Sequence, residues 1–323
     1  MNDALCAGPT SAYINDLRKF DGSEWTWLGG SSSPNHAGVY GTLGQSAAAS
    51  APGARCGAVS WTDPDGNLWL FGGQGCDSTA DCSGPLNNLW EYSGGQWTWV
   101  SGFSVSNPAH PGVYAALDTP APANVPGGRY SATGWIDHSG NLWIYCGLGC
   151  NIITNGFAEL DDFLEFSSGD WVWRAGSDSL SSQPGTYGTE GTPAPGNLPG
   201  ARDAAASWTD ANGNLWLFSG DGMPGTGLTA AFNDLWEYSA GHRTWVGGYN
   251  TGKQAGVYGT LGLPAPANIA GARMGAVAWV DAKGNLWLFG GLGLPATSSG
   301  GLGAQIPESR SGYLNDLWVY QPQ

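Results

Sequence analysis

An all-β fold, built by repeating one four-stranded unit, is predicted by three features of this 323-residue sequence. First, Gly66-Asn67-Leu68-Trp69-Leu70-Phe71-Gly72-Gly73 recurs with little change at 140–147, 213–220 and 284–291. Its tryptophans, Trp69, Trp143, Trp216 and Trp287, lie 74, 73 and 71 residues apart, and a fixed long period sets the architecture before any local reading. Second, Gly reaches 54 residues and Trp 18, a composition of short strands and turns packed by aromatics. Third, charged residues are only 11%, with abundant aromatics, which excludes a disordered chain.

Each unit reads as four strands. The first is short, apolar and ends in Trp: Gly57 to Trp61, Ser131 to Trp135, Ala204 to Trp208 and Gly275 to Trp279. A turn follows (Asp63 to Gly66, Asp137 to Gly140, Asp210 to Gly213, Asp281 to Gly284), with Asp opening and Gly closing it, as hairpin chemistry requires. A calcium loop would need a longer ligand-bearing segment with a closing Glu, whereas strand resumes here at Leu68. The recurrent Asn-Leu-Trp motif is the second strand.

A long, variable loop then leads to the third strand, whose polar and apolar positions alternate: Leu86 to Tyr92, Leu160 to Phe166, Phe232 to Tyr238 and Leu314 to Tyr320. The fourth strand carries Trp97-Thr98-Trp99, Trp171-Val172-Trp173 or Arg243-Thr244-Trp245. A tail such as Gly256-Val257-Tyr258-Gly259-Thr260 runs to the next unit, which opens on a triplet ending at Arg55, Arg129, Arg202 or Arg273. Four antiparallel strands repeated end to end form the blades of a β-propeller, in which each blade buries its faces against its neighbours.

The expected units are 56–129, 130–202, 203–273 and 274–323, together forming a single domain over 1–323. Residues 14–20 read as a further third strand and 24–28 as a further fourth strand. The simplest closure gives four blades, with 14–28 completing the blade begun at 274. The alternative is a segment of a larger propeller.

Aromatic-Gly-Gly, a later Tyr and a Trp after the next turn resemble the kelch repeat, the blade type of the galactose oxidase central domain. The resemblance covers residues 14–320. This chain departs from the pattern at Cys146 and Ser219, where the first Gly is expected, and at Phe166 in place of Tyr. Its repeats also exceed the kelch length of about 50 residues. Galactose oxidase uses His and Tyr copper ligands and a Cys-Tyr cofactor, and no motif here carries those ligands over. His36, His110, His138 and His242 fall in tails or turns without metal-ligand spacing, so neither metal nor cofactor is expected.

The net charge of −15 disfavours nucleic acid and anionic membrane surfaces as partners. No apolar run approaches the length of a spanning helix, and the N-terminus lacks the features of a signal peptide. Six cysteines suggest disulfides and an oxidising, extracellular or cell-surface setting: Cys76 with Cys82, Cys146 with Cys150, and Cys6 with Cys56.

Among candidate functional groups, the repeated Arg55, Arg129, Arg202 and Arg273 and the third-strand Asp16, Asp162, Asp234 and Asp316 read as structural, because a group present in every unit seldom marks a site. Asp161-Asp162 are adjacent on a strand and point to opposite faces, which argues against a carboxylate dyad. Strand parity puts the second-to-third loops and the inter-unit connections at one end, and the units differ most in those loops. Variation on a constant scaffold points to binding, and Tyr130, Asp203 and Asp221 are the ligand candidates. The expected function is therefore a binding or scaffold module for a glycan or protein. The alternatives are a sugar-acting enzyme or a structural segment of a larger surface protein. Non-reducing peptide mapping is expected to recover Cys6 joined to Cys56; a free thiol at either position would refute that pairing.

Overall fold

The computed structural model describes residues 12–106, 110–151, 156–178, 182–223, 229–296 and 311–322. Among them there is no helix, and the strands form the blade sheets of a β-propeller. Three sheets hold all four blade strands in meander order. The first is Val59–Thr62, Leu68–Phe71, Leu89–Ser93 and Gln96–Ser101. The second is Thr133–Ile136, Leu142–Tyr145, Phe163–Ser167 and Asp170–Ala175, and the third is Ala206–Thr209, Leu215–Phe218, Leu235–Ser239 and His242–Gly247. A fourth sheet contains Val277–Val280, Leu286–Phe289 and Leu317–Tyr320. We call these units one to four. Residues 24–28 were expected as the fourth strand of unit four; in the structure Trp25–Gly29 pairs instead with Leu17–Phe20 in a two-stranded sheet.

The recurrent motif is explained by its turn. Asp63 Oδ1 accepts the main-chain N–H groups of Asp65 and Asn67, while Oδ2 accepts the Asn67 amide and the Trp69 indole N–H (2.9 Å). Asp137, Asp210 and Asp281 repeat this arrangement with Trp143, Trp216 and Trp287. Both oxygens of each turn carboxylate are thus engaged by N–H donors, which is hairpin chemistry and leaves the Asp a structural part of the turn. The di-Gly follows from the backbone. Gly73 has φ +96, and a Cβ there would lie 2.8 Å from the Cys56 carbonyl. The position before it is a tighter left-handed turn that Cys146 (φ 61) and Ser219 (φ 68) also adopt, so the kelch departures fall where a side chain is tolerated.

Consecutive units share a core. Val59, Trp61, Phe71 and Leu89 of unit one pack on Leu142, Ile144, Leu164 and Trp171 of unit two. Trp135, Tyr145 and Phe163 meet Leu215, Leu217 and Trp236 in the same way, and Trp208 and Phe218 meet Leu286 and Leu288. Between consecutive units, the Ser131 N–H donates to the Gly57 carbonyl, Ala204 to Ser131 and Gly275 to Ala204, all four residues having positive φ.

The repeated arginines join these elements. Arg202 donates through Nε to the Gly200 carbonyl, through Nη1 to the Ser219 carbonyl, and through both terminal nitrogens to Asp234 (2.7 and 2.8 Å). Its main-chain N–H reaches back to Leu160 of the previous unit, and its carbonyl accepts from Gly147. Arg129 with Asp162 and Arg273 with Asp316 repeat the scheme. The inter-unit tail then adds its tyrosine: Tyr114, Tyr187 and Tyr258 donate to Asp162, Asp234 and Asp316. Asp16 pairs with the exposed Arg18 next to it (2.5 Å).

The same tails cover the outer edges of units one to three. Ala47, Ala121 and Ala194 bridge to Trp97, Trp171 and Arg243 of the fourth strands. Gly44, Asp118 and Gly191 donate to Trp99, Trp173 and Trp245, and the Asn124 and Asn197 amides donate to the Trp171 and Arg243 carbonyls. An exposed strand edge is a template for aggregation, and these tails occupy it.

Unit one departs from the arginine scheme in an informative way. Asn88 stands where the other units have Asp, so Arg55 meets one amide oxygen (2.8 Å) and its buried Nη2 has no hydrogen-bond partner. Burial works against the charge at all these sites. It prevails at Arg55, whose pKa is lowered, whereas the facing carboxylates hold Arg129 and Arg202 above the ordinary value. Asn88→Asp is therefore expected to stabilise the protein by about 1–3 kcal/mol, the scale of a hydrogen bond to a charged group, read as a higher urea midpoint at unchanged slope.

Candidate ligand site at the long-loop end

At the end where the second-to-third loops leave, each unit carries a second, smaller sheet that its repeat pattern did not announce. The residue after each repeated Arg pairs with the first residue of the loop: Cys56 with Gln74, Tyr130 with Leu148, Asp203 with Asp221, and Met274 with Leu292. A third short strand follows in three units: Gly156–Glu159, Ala230–Ala231 and Gly312–Tyr313. The first strand of each small sheet ends one residue before the left-handed ladder, which places the four small sheets beside it.

Two candidates are brought together here. Asp203 and Asp221 are directly opposite in an antiparallel pair, with Asp203 only 6% exposed. Two carboxylates brought opposite each other on paired strands are a feature of binding sites. Tyr130 belongs to the neighbouring unit, beside Asp203 in the order of the ladder, and does not pair with either carboxylate strand. It lies edge-on to the exposed Phe157 at 6.1 Å. Phe157 was not foreseen, because it lies in a variable loop where no repeat flags it. Among the described residues, no group of three or more His, Cys, Asp or Glu is placed to hold a metal ion.

The cysteines divide. Cys76 is bonded to Cys82, and Cys56 is also in a disulfide. Cys6 and the side chain of Cys150 lie outside the described residues. The expected Cys146–Cys150 bridge is corrected: Cys146 is a free, fully buried thiol. The left-handed turn at Cys146 aims its sulfur inward, 3.9 Å from the Gly200 carbonyl, and burial raises the thiol pKa well above its ordinary value. Such a thiol is inert.

A second break in the repeat lies beneath this surface. Asn15, Asn87 and Asn233 each accept a main-chain N–H through Oδ1 and donate through Nδ2 to a carbonyl, of Pro52, Pro126 and Ala270. Unit two has Asp161 there, which accepts from Ser177 but as a carboxylate has no proton to donate. The carbonyl equivalent to those three, Pro199, receives a hydrogen bond from the hydroxyl of Tyr145, which replaces Phe71, Phe218 and Phe289. Asp162, next in sequence, faces Arg129, so the two carboxylates act separately.

No family model matches the chain, and no curated protein matches it. Among solved structures, it is similar to YjhT at 14% identity and a TM-score of 0.46, over 88% of this chain and 74% of that one. It is also similar to a fungal alcohol oxidase of the AA5 family, solved in complex with copper, at 14% identity and a TM-score of 0.40. That match covers 95% of this chain, which spans 59% of the oxidase.

Burial, reinforced by the neighbouring Asp162 charge, pushes the Asp161 pKa from 3.8 up to about 6, against the Ser177 N–H and the Arg129 charge, which lower it. The raised value means that the folded protein favours the neutral acid. Stability from this group is complete below about pH 4 and is lost as pH rises through about 6. Asp161→Asn is expected to remove that loss, raising stability at pH 8 by about 1–3 kcal/mol with little change at pH 4, as measured by urea unfolding across pH.

Proposed function

We propose that this protein is a kelch-type propeller that acts as an extracellular binding module and takes a glycan at its long-loop end. The observation that carries this reading is the Asp203–Asp221 pair, the one pair of carboxylates among the four described small-sheet pairings that start each unit. Carboxylate oxygens accept hydrogen bonds from paired sugar hydroxyls, and the Tyr130–Phe157 pair offers ring faces and edges for the apolar side of a pyranose. The Cys76–Cys82 disulfide suits an oxidising compartment, in keeping with an extracellular ligand. A protein ligand on the same loops is the competing reading.

A glycan-array screen of the intact chain tests the proposal. Selective binding is expected to fall at least tenfold with Asp203→Asn, Asp221→Asn or Tyr130→Ala. Circular dichroism of each variant, matching that of the unsubstituted chain, separates loss of the site from loss of the fold. Loss of binding with EDTA would place a cation between the carboxylates. A blank array would reject the glycan and leave the protein ligand.

A further inference from the structure

Unit three departs from its neighbours near the start of the fourth strand. Trp97 and Trp171 hold that position in units one and two, opposite Tyr92 and Phe166, whereas Arg243 holds it in unit three, opposite Tyr238. The tail bridges the same three residues, so the strand runs alike and the side chain alone differs. Between units one and two the Trp171 ring closes the interface, 5.3 Å from Phe71 of unit one and 5.2 Å from Phe166. Between units two and three the corresponding groups are Arg243, Tyr145 and Tyr238.

An arginine stem does not fill the volume of an indole, and a cavity of about 30 Å³ remains there. Its walls are apolar, supplied by Trp135, Tyr145 and Phe163 of unit two and by Leu215, Leu217 and Trp236 of unit three. The Tyr145 hydroxyl is spent on the Pro199 carbonyl. Apolar cavities stay dry and accept apolar groups, and this one has room for roughly two groups of the size of a water molecule.

Arg243 adds a charge at the rim. It donates through Nε to the Asn197 carbonyl (2.7 Å) and through Nη2, in an exposed contact, to the Pro195 carbonyl (3.0 Å). Its Nη1 donates to no described residue, and no carboxylate among the described residues pairs with it. Arg174 of unit two, by contrast, is committed to Asp118 and Glu165 (2.9 and 2.6 Å). Burial lowers the Arg243 pKa, and the weaker pull of Tyr145, Tyr238 and Asp118 does not restore it. Among the residues lining the cavity the one acid is Glu237. It lies between Trp236 and Tyr238 on the strand, so its side chain points to the opposite face, where its charge acts on Tyr320 of unit four.

We propose that the cavity between units two and three binds a short-chain carboxylate, whose alkyl end enters the cavity and whose carboxylate pairs with Arg243 at the rim. An arginine fork with a spare donor suits a carboxylate, and the apolar walls suit the chain. The site shares no residue with the candidate glycan site, so the two readings stand or fall separately.

The test titrates butyrate into the whole chain at constant ionic strength and follows tryptophan fluorescence, to which Trp135 and Trp236 contribute from the cavity wall. Butyrate is expected to saturate and to bind at least tenfold more tightly than acetate, which is two methylenes shorter, at roughly fourfold per buried CH₂. It should exceed uncharged butyramide by a similar factor. Arg243→Trp, which restores the residue of units one and two, should abolish binding. Leu217→Phe, which fills the cavity from the facing wall and leaves Arg243 in place, should erase the preference for butyrate over acetate. The proposal fails if butyrate binds the unsubstituted chain no better than acetate or butyramide, a comparison that needs no variant. It fails equally if Arg243→Trp, with unchanged circular dichroism, binds butyrate as before. Weak binding of all carboxylates alike, unaffected by Leu217→Phe, would mark a surface ion pair only and overturn it as well.

Discussion

The buried arginine at the start of each unit is the interaction on which the architecture rests. Its side chain spans three places in its own unit: the entry to the first strand, the carbonyl ending the second, and the carboxylate opening the third. Its main chain is bonded to the preceding unit on both sides, through N–H and carbonyl. One residue therefore fixes both the fold of a blade and its seat on the neighbour. The planar guanidinium fork suits this role because it satisfies carbonyl and carboxylate acceptors at once with little loss of freedom. Burying such a charge costs least with an opposite charge beside it, so the third-strand Asp supports the Arg in units two to four, whereas Asn88 of unit one leaves Arg55 Nη2 without a hydrogen-bond partner.

Around that tie, aromatic side chains supply the bulk. Trp90 and Trp171 are almost entirely buried, and each motif tryptophan is held by the turn Asp six residues before it. Large rings with one polar handle fill space between sheets while remaining oriented. The tails turn what would be exposed blade edges into paired ones, which accounts for most of the repeat's extra length over an ordinary kelch unit.

Much of this was legible because it repeats. The four strands, the hairpin turn and the Arg and Asp positions each appear several times in one sequence, and a single copy would have been ambiguous. What repetition cannot reveal is pairing between unlike segments. The small sheets join a constant position to a variable loop, so the direct opposition of Asp203 and Asp221 was visible only as two separate candidates. Cys146 was misread because spacing to Cys150 suggested a bridge, whereas the backbone turn at 146, shared with Gly72 and Ser219, decides where its sulfur points. The pair of Trp25–Gly29 with Leu17–Phe20 depends on which of two similar third strands is nearer, and a shared pattern does not distinguish them.

The hydrogen-bonded ladder from Gly57 through Ser131 and Ala204 to Gly275 is made wholly of main-chain groups. The ladder itself uses no side chain, so it places no demand on the residue just before each rung. Cys56, Tyr130, Asp203 and Met274, as different as four residues can be, occupy that place. The ladder leaves the chemistry of that place open: Cys56 enters a disulfide, while Tyr130 meets Phe157 and Asp203 faces Asp221. Such a separation lets a repeat protein acquire new specificities while its units remain nearly identical.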